Sequence, residues 1–306
     1  MDTVKLNFVE SIRNIDMLVN GLTEKMVELK EQYKELQQKK EIALKLSNIK
    51  NIDVNTVVAQ GGSYRPYYLK VDKKVSPLHV SKYLVTQKLW FSIMETTPSH
   101  FIGEDLPVEN ISWIEALKFC NKLSIKKGLK PVYKIIDNKL SKIILDDGKE
   151  IDPCIADFSK TKGYRLPTEF EWEWFARGGN KGMEKGSFDS KFAGSDNIED
   201  IAWSSSNSNL KTHNVGLKAP NELGLYDVSG NVWEWCFDSN YKHDRSSHDI
   251  SSIEKNSFIY TDSEADRVIR GGSWFNRGEF MNLIHKYHFG TNNKDSSIGF
   301  RICRTY

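Results

Sequence analysis

The chain has 306 residues, 43 basic and 41 acidic, for a formal charge of +2, and 39% are hydrophobic. That length and apolar share support one sizeable core with or without an appendage, and so balanced a charge gives no reason to expect nucleic acid or an acidic membrane as partner. Four cysteines without CxxC spacing argue against a zinc site, no apolar run reaches membrane-spanning length, and the N-terminus lacks a basic-then-apolar signal pattern, so the chain as written is expected in the cytoplasm.

Residues 1–50 are expected to form a separate unit, a long helix with a heptad seam over residues 8–48. Ile12, Val19, Met26 and Tyr33 occupy the a positions and Ile15, Leu22, Leu29 and Leu36 the d positions, amid Lys, Glu and Gln. The stripe reads as a coiled coil that self-associates, or as a face docked on the chain's own globular part. In a parallel dimer Lys25 and Lys30 would meet at g and e and repel, so the oligomeric state stays open.

The globular part spans residues 56–306. VVAQGGSY (57–64) predicts a strand closing on a Gly-Gly turn, and another strand precedes Thr86, the N-cap of a short helix from Gln87 to Glu95. Ser112 and Glu115 form a capping box for a helix running towards Gly128, with Trp113, Ala116, Leu117, Cys120 and Leu123 on its apolar side. PVYKIID and KIILDDGKEI predict hairpin strands. Thr168 and Glu171 form a second capping box, Trp172, Phe175 and Ala176 face inward, and Gly178 stops the helix. Glu169, Glu171 and Glu173 are read as complements to the helix dipole in preference to acid–base groups.

The last stretch, Arg267 to Arg301, sets two rigid phrases, RGGSW and IGFR, around residues 275–297. Phe275, Asn276, Arg277, Phe280, His285, Tyr287, His288 and Phe289 show neither helical nor alternating periodicity. Aromatics, imidazoles and amides without a period suit a recognition surface held between anchors. With no Asp, Glu or Cys at ligand spacing, His285 and His288 are read as part of that surface in preference to a metal site or a base.

Six phrases, GGSY, PVENISWIEALKFCNKLS, GYRLPTEFEWEWFARGG, GLYDVSGNVWEW, RVIRGGSW and IGFR, stand in the order and spacing of the formylglycine-generating enzyme (sulfatase-modifying factor) family, which residues 56–306 resemble. The resemblance implies an α+β, C-type-lectin-like fold with much irregular structure. It also implies, for active members, two cysteines in the last stretch that bind copper(I) and activate oxygen to oxidise a substrate cysteine. Those two positions here are Asn276 and Met281. An amide and a thioether do not replace soft thiolates, so neither copper nor catalysis is expected. A sister branch uses iron held by N-terminal histidines, and the first histidine here is His79. Asp227 and Glu234, with the carbonyls of Gly230 and Val232, match a structural calcium site of the family, the alternative being that the carboxylates satisfy loop amides.

A subgroup of the family serves as variable proteins of diversity-generating retroelements, in which adenine-directed mutation rewrites codons between such anchors. Asp295, Ser296 and Ser297 join the eight candidates above as residues reachable in that way, whereas Glu279, Met281 and Lys286 are not. The resemblance therefore implies a non-catalytic protein that presents residues 275–297 to a protein or other macromolecular ligand. The alternative is an atypical oxidase acting on a peptide cysteine.

Overall fold

The structure, a computed structural model, describes residues 2–47, 53–67, 69–239 and 265–306. Residues 48–50 of the expected helical unit and the side chains of Ile12 and Ile15 lie outside what it describes. The chain divides into two compact units, Met1–Asn48 and Ile49–Tyr306.

The first unit is a single helix, α1 (Asp2–Ser47). Its straight-chain Lys, Glu and Gln residues favour the helix and support it with neighbours one turn apart, such as Glu35 and Lys39 at 2.8 Å. Val19, Leu22, Met26, Leu29, Tyr33 and Leu36 are between 53% and 64% exposed.

In the second unit, the stretch expected as one strand is two, β1 (Thr56–Ala59) and β2 (Gly62–Tyr64), in different sheets. The break has a packing cause. The Trp174 indole donates to the Gln60 carbonyl at 3.0 Å, and a Cβ on Gly62 would collide with that ring. After β3 (Lys73–Val75) and β4 (Leu78–Ser81), Thr86 caps α2 (Gln87–Met94) as expected, and Glu95 ends it in the left-handed region at φ 59°. Ser112 and Glu115 close their capping box on α3 (Trp113–Lys126), whose five predicted apolar residues are all buried. The strands β5 (Tyr133–Ile136), β6 (Lys139–Ile144) and β7 (Glu150–Ile151) form the predicted hairpins. Asp137 and Asn138, both at positive φ, make the turn between the first two.

The second capping box, Thr168 with Glu171, opens α4 (Glu169–Ala176). Gly178 stops it at φ 82°, and α5 (Gly179–Lys185) and α6 (Ile198–Ile201) follow. The remaining strands are β8 (Trp233–Ser239), β9 (Arg267–Arg270), β10 (Lys286–Phe289), β11 (Ile298–Gly299) and β12 (Cys303–Thr305). Among the described residues they complete a three-stranded sheet, β1-β4-β12, and a four-stranded one, β10-β9-β8-β11. The chain's end ties the two together: β11 runs parallel to β8, and three residues on β12 pairs antiparallel with β4.

Among the described residues two large apolar clusters fill most of the interior. One gathers Trp90, Trp113, Phe119, Trp235 and Phe300, and the other packs Trp172, Trp174 and Phe175 under Val80 and Val268. Truncating one such ring to Ala costs about 3–5 kcal/mol. The helices, twisted short sheets and long irregular loops are an α+β architecture, as expected.

Candidate functional site

The two anchor phrases owe their rigidity to arginines turned inward. Arg301 is fully buried and grips Glu234 with Nε and Nη2 at 3.0–3.2 Å, while its Nη1 and Nη2 also donate to the carbonyls of Ser81, Lys82 and Tyr226. Arg270, also fully buried, bonds Glu169 at 3.0 Å, Glu173 at 3.3 Å and the Leu283 carbonyl at 2.5 Å. The reading of Glu169, Glu171 and Glu173 as complements to the helix dipole leaves out their main partners. All three are buried, and each is ion-paired: Glu169 with Arg270 and Lys286, Glu171 with Arg165, Glu173 with Arg177 and Arg270. Ion pairs and hydrogen bonds offset the cost of burying carboxylates so deeply.

Between the anchors the chain alternates inward and outward. Phe275 is 64% exposed and Tyr287 60%, and Phe280 and Arg277 also face outward. Phe280 meets the half-buried His285 edge-on at 5.1 Å. Tyr287 leans towards Trp233, and Phe275 continues a run of edge-on rings through Trp274 and Phe101 to His100. Beside this run the Trp203 and His213 rings stack at 3.7 Å, with Lys218 over the indole. The Asn276 carbonyl, accepting from Ser205 N at 2.9 Å, and the Trp274 carbonyl, accepting from Ser208 Oγ at 2.8 Å, join the two loops. Phe101, Trp203 and His213 thus border the surface although the sequence did not single them out. They stand in separate loops: Phe101 joins through the Trp274 ring, and the Trp203 loop joins through the hydrogen bonds of Ser205 and Ser208.

Other candidates belong to the scaffold. Asn276 turns its Oδ1 back to accept from Ser273 N at 3.1 Å and Ser273 Oγ at 2.6 Å, clamping the GGS turn. Ser297 donates from N and Oγ to Asp295 Oδ1, and the Ser296 carbonyl accepts from the Trp274 indole, so Asp295, Ser296 and Ser297 brace the second anchor. Phe289 packs on the core beside Trp235. His288 lies on β10 opposite Val268, and burial, with Lys286 nearby, pushes its pKa down to about 4, so the ring is neutral at ordinary pH. Within this stretch β10 is a strand whose four residues pair in register with β9.

Met281 is fully buried against Phe192, Ile201 and Ala202. Gly272, at φ 78°, makes room for it, since a Cβ there would lie 2.6 Å from Met281 Cγ. Cys120, Cys236 and Cys303 are buried, and burial raises all three thiols, Cys303 to about 12, far from the thiolate form that reacts or binds soft metals. A cleft of about 380 Å³ opens between β4, α2 and residues 214–217, and none of residues 275–297 lines it.

In the Asp227 loop every carboxylate oxygen has a protein donor. Asp227 accepts from Gly216 N and Asn231 Nδ2, and Glu234 from Arg301 and the Trp172 indole. Two buried carboxylates here lie near one guanidinium, and burial raises the pKa of each from its ordinary value. Carboxylate and carbonyl oxygens gathered in one loop are the ligand type that suits a hard cation. Among the described residues no three His, Cys, Asp or Glu side chains cluster as a metal site, so backbone oxygens would have to complete any shell.

The Sulfatase-modifying factor enzyme 1-like domain matches residues 43–306. The chaperone protein LppX of Paenibacillus barcinonensis is 30% identical over 269 residues, covering 81% of this chain and 89% of that protein. The formylglycine-generating enzyme of Streptomyces coelicolor is 32% identical over 157 residues, 47% of this chain and 48% of the enzyme. Several other relatives are longer, and the chain spans between 27% and 32% of their length. Among solved structures, Treponema denticola variable protein 1 superposes with a TM-score of 0.63 at 30% identity, covering 82% of this chain and 95% of that one.

Proposed function

Because the chain belongs to the sulfatase-modifying factor enzyme 1-like family, we propose that it is a member without oxidase chemistry that binds a protein or other macromolecule through its C-terminal surface. One observation carries the reading. The two residues at the expected thiol positions are built into the scaffold, Met281 in the core and Asn276 in the GGS turn, while Phe275, Arg277, Phe280 and Tyr287 face outward beside them. Large, rigid aromatic faces with adjacent polar groups give contact area at low entropic cost. The likeness to a variable protein and to a protein named as a chaperone supports a macromolecular ligand. Copies of the gene's last coding segment that differ at adenines, beside a reverse transcriptase, would add retroelement diversification to the reading.

The rival is oxidation of a peptide cysteine, favoured by the likeness to the Streptomyces enzyme. Anaerobic titration with copper(I) against a competing chelator, followed by oxygen uptake with a cysteine peptide, separates the two. The expected result is no stoichiometric copper and no peptide-dependent oxygen uptake. One tightly bound copper per chain with turnover would overturn the binding reading. We further propose that Asp227 and Glu234, with the Gly230 and Val232 carbonyls, hold a structural calcium ion. Calcium is then expected to raise the melting temperature and EGTA to lower it, and Asp227→Asn should abolish that response.

A further inference from the structure

We propose that α1 pairs with a second copy of itself in antiparallel orientation. The seam supplies the apolar face: from Val19 to Leu36 its a and d residues are more than half exposed, and they recur every three and four residues over successive turns. A stripe of that length and regularity matches a second helix of the same repeat, and the flanking charges choose its direction.

In a parallel pair each g residue faces the e residue five positions on in the other helix. Lys25 then meets Lys30 of the second copy, twice by symmetry, while Asp16 faces the uncharged Ser11. Running the second helix the other way places a residues against d residues, with Val19 opposite Leu29 and Met26 opposite Leu22, and brings e to e and g to g. In that register Asp16 faces Lys30 of the second copy, again twice, Thr23 faces its own equivalent, and Lys25 meets itself once. Two repulsions are exchanged for two attractions and one repulsion. Asp16, Lys25 and Lys30 are all exposed on α1, where they can meet a second helix. The 46 residues of α1 span about 70 Å at 1.5 Å per residue, long enough for the whole seam to pair.

The orientation rests on the helix alone, while its meaning rests on the recognition reading. Pairing of two chains lets two recognition surfaces act together. Because the test needs no ligand, failure of the orientation and failure of the recognition reading are distinguishable. Sedimentation equilibrium of the full chain should show a reversible dimer at micromolar concentration. Lys30→Asp sets Asp16 against an aspartate and should weaken the dimer by about tenfold, and adding Asp16→Lys should restore it. A parallel dimer predicts the opposite sign, because Lys30→Asp would relieve its repulsion and tighten it. A monomer at all concentrations, a higher oligomer, or tightening by Lys30→Asp would overturn the proposal.

Crosslinking gives an independent reading in a Cys154→Ser background, since the other three cysteines are buried. Chains carrying Val19→Cys and chains carrying Leu29→Cys should form a disulfide-linked dimer only when mixed. Linkage of Leu29→Cys chains to one another would mark a parallel pair and sink the idea. Unchanged far-ultraviolet circular dichroism confirms that each variant keeps its helix.

Discussion

Two neighbouring parts of the last stretch reverse the usual division between inside and outside. The anchors bury their arginines completely, Arg270 and Arg301 both at 0% exposure, while the segment between them leaves Phe275 and Tyr287 more than half in water. Charged groups are ordinarily the outer ones and large aromatics the inner. The inversion separates two tasks. Buried guanidiniums, each bonded to carboxylates and carbonyls from remote elements, fix the ends of the segment in place. The rings between them contribute little to the core and remain available to meet something else.

The comparison can be broken most forcefully at Arg301. Replacing it with Ala strands the Glu234 carboxylate in the interior, and urea denaturation should show a loss of about 3–5 kcal/mol. The double replacement of Arg301 and Glu234 by Met should lose markedly less, because no uncompensated charge remains. Gly272→Val comes next. A left-handed φ of 78° and the Met281 side chain in the way together predict a loss of about 2–3 kcal/mol in the same measurement.

A titration sharpens the inner half of the comparison. Burial, reinforced by the nearby Glu169 and Glu171 carboxylates, raises the Asp238 pKa to about 8, although its side chain accepts a hydrogen bond from Glu169 N. The folded chain thus keeps a proton that the unfolded chain releases near pH 4. This contribution to stability is whole below about pH 4, declines as pH rises, and is gone above about pH 8. Asp238→Asn should remove that part of the slope in urea midpoints taken from pH 4 to pH 9. The smallest effect belongs to the outer half. Phe275→Ala, Phe280→Ala and Tyr287→Ala should each move stability by no more than about 0.5–1 kcal/mol. A triple variant that keeps its midpoint and loses binding to partners recovered with the native chain would match the proposed division of labour. One that retains all binding would place recognition elsewhere.

Local features of the fold were legible because their causes are local. Thr86, Ser112 and Thr168 cap helices through atoms three residues away, and the apolar stripe of α3 follows from helical periodicity alone. The partners of the buried charges were not legible. Arg301 finds Glu234 67 positions earlier, and Arg270 finds Glu169 across 101. The glutamates therefore looked like ordinary first-turn residues. The candidate site was legible as a stretch and not as a list. Composition and missing periodicity singled out residues 275–297, but residue type does not reveal direction, so Asn276, Phe289 and Ser297 were grouped with side chains that face outward. The loops carrying Phe101 and Trp203 left no signal, because their rings join the surface only after the chain has folded.

The closing strand has a consequence for how the protein is made. β4 lies between β1 and β12, so one of its edges is completed only by residues 303–305. Until residues 301–305 have emerged from the ribosome, β4 is half paired and Glu234 lacks Arg301, however long the earlier segments have waited. Any frameshift or premature stop within residues 275–297 removes both partners together. Substitutions at the outward residues leave both partners in place, whereas loss of the reading frame ahead of Arg301 removes them together.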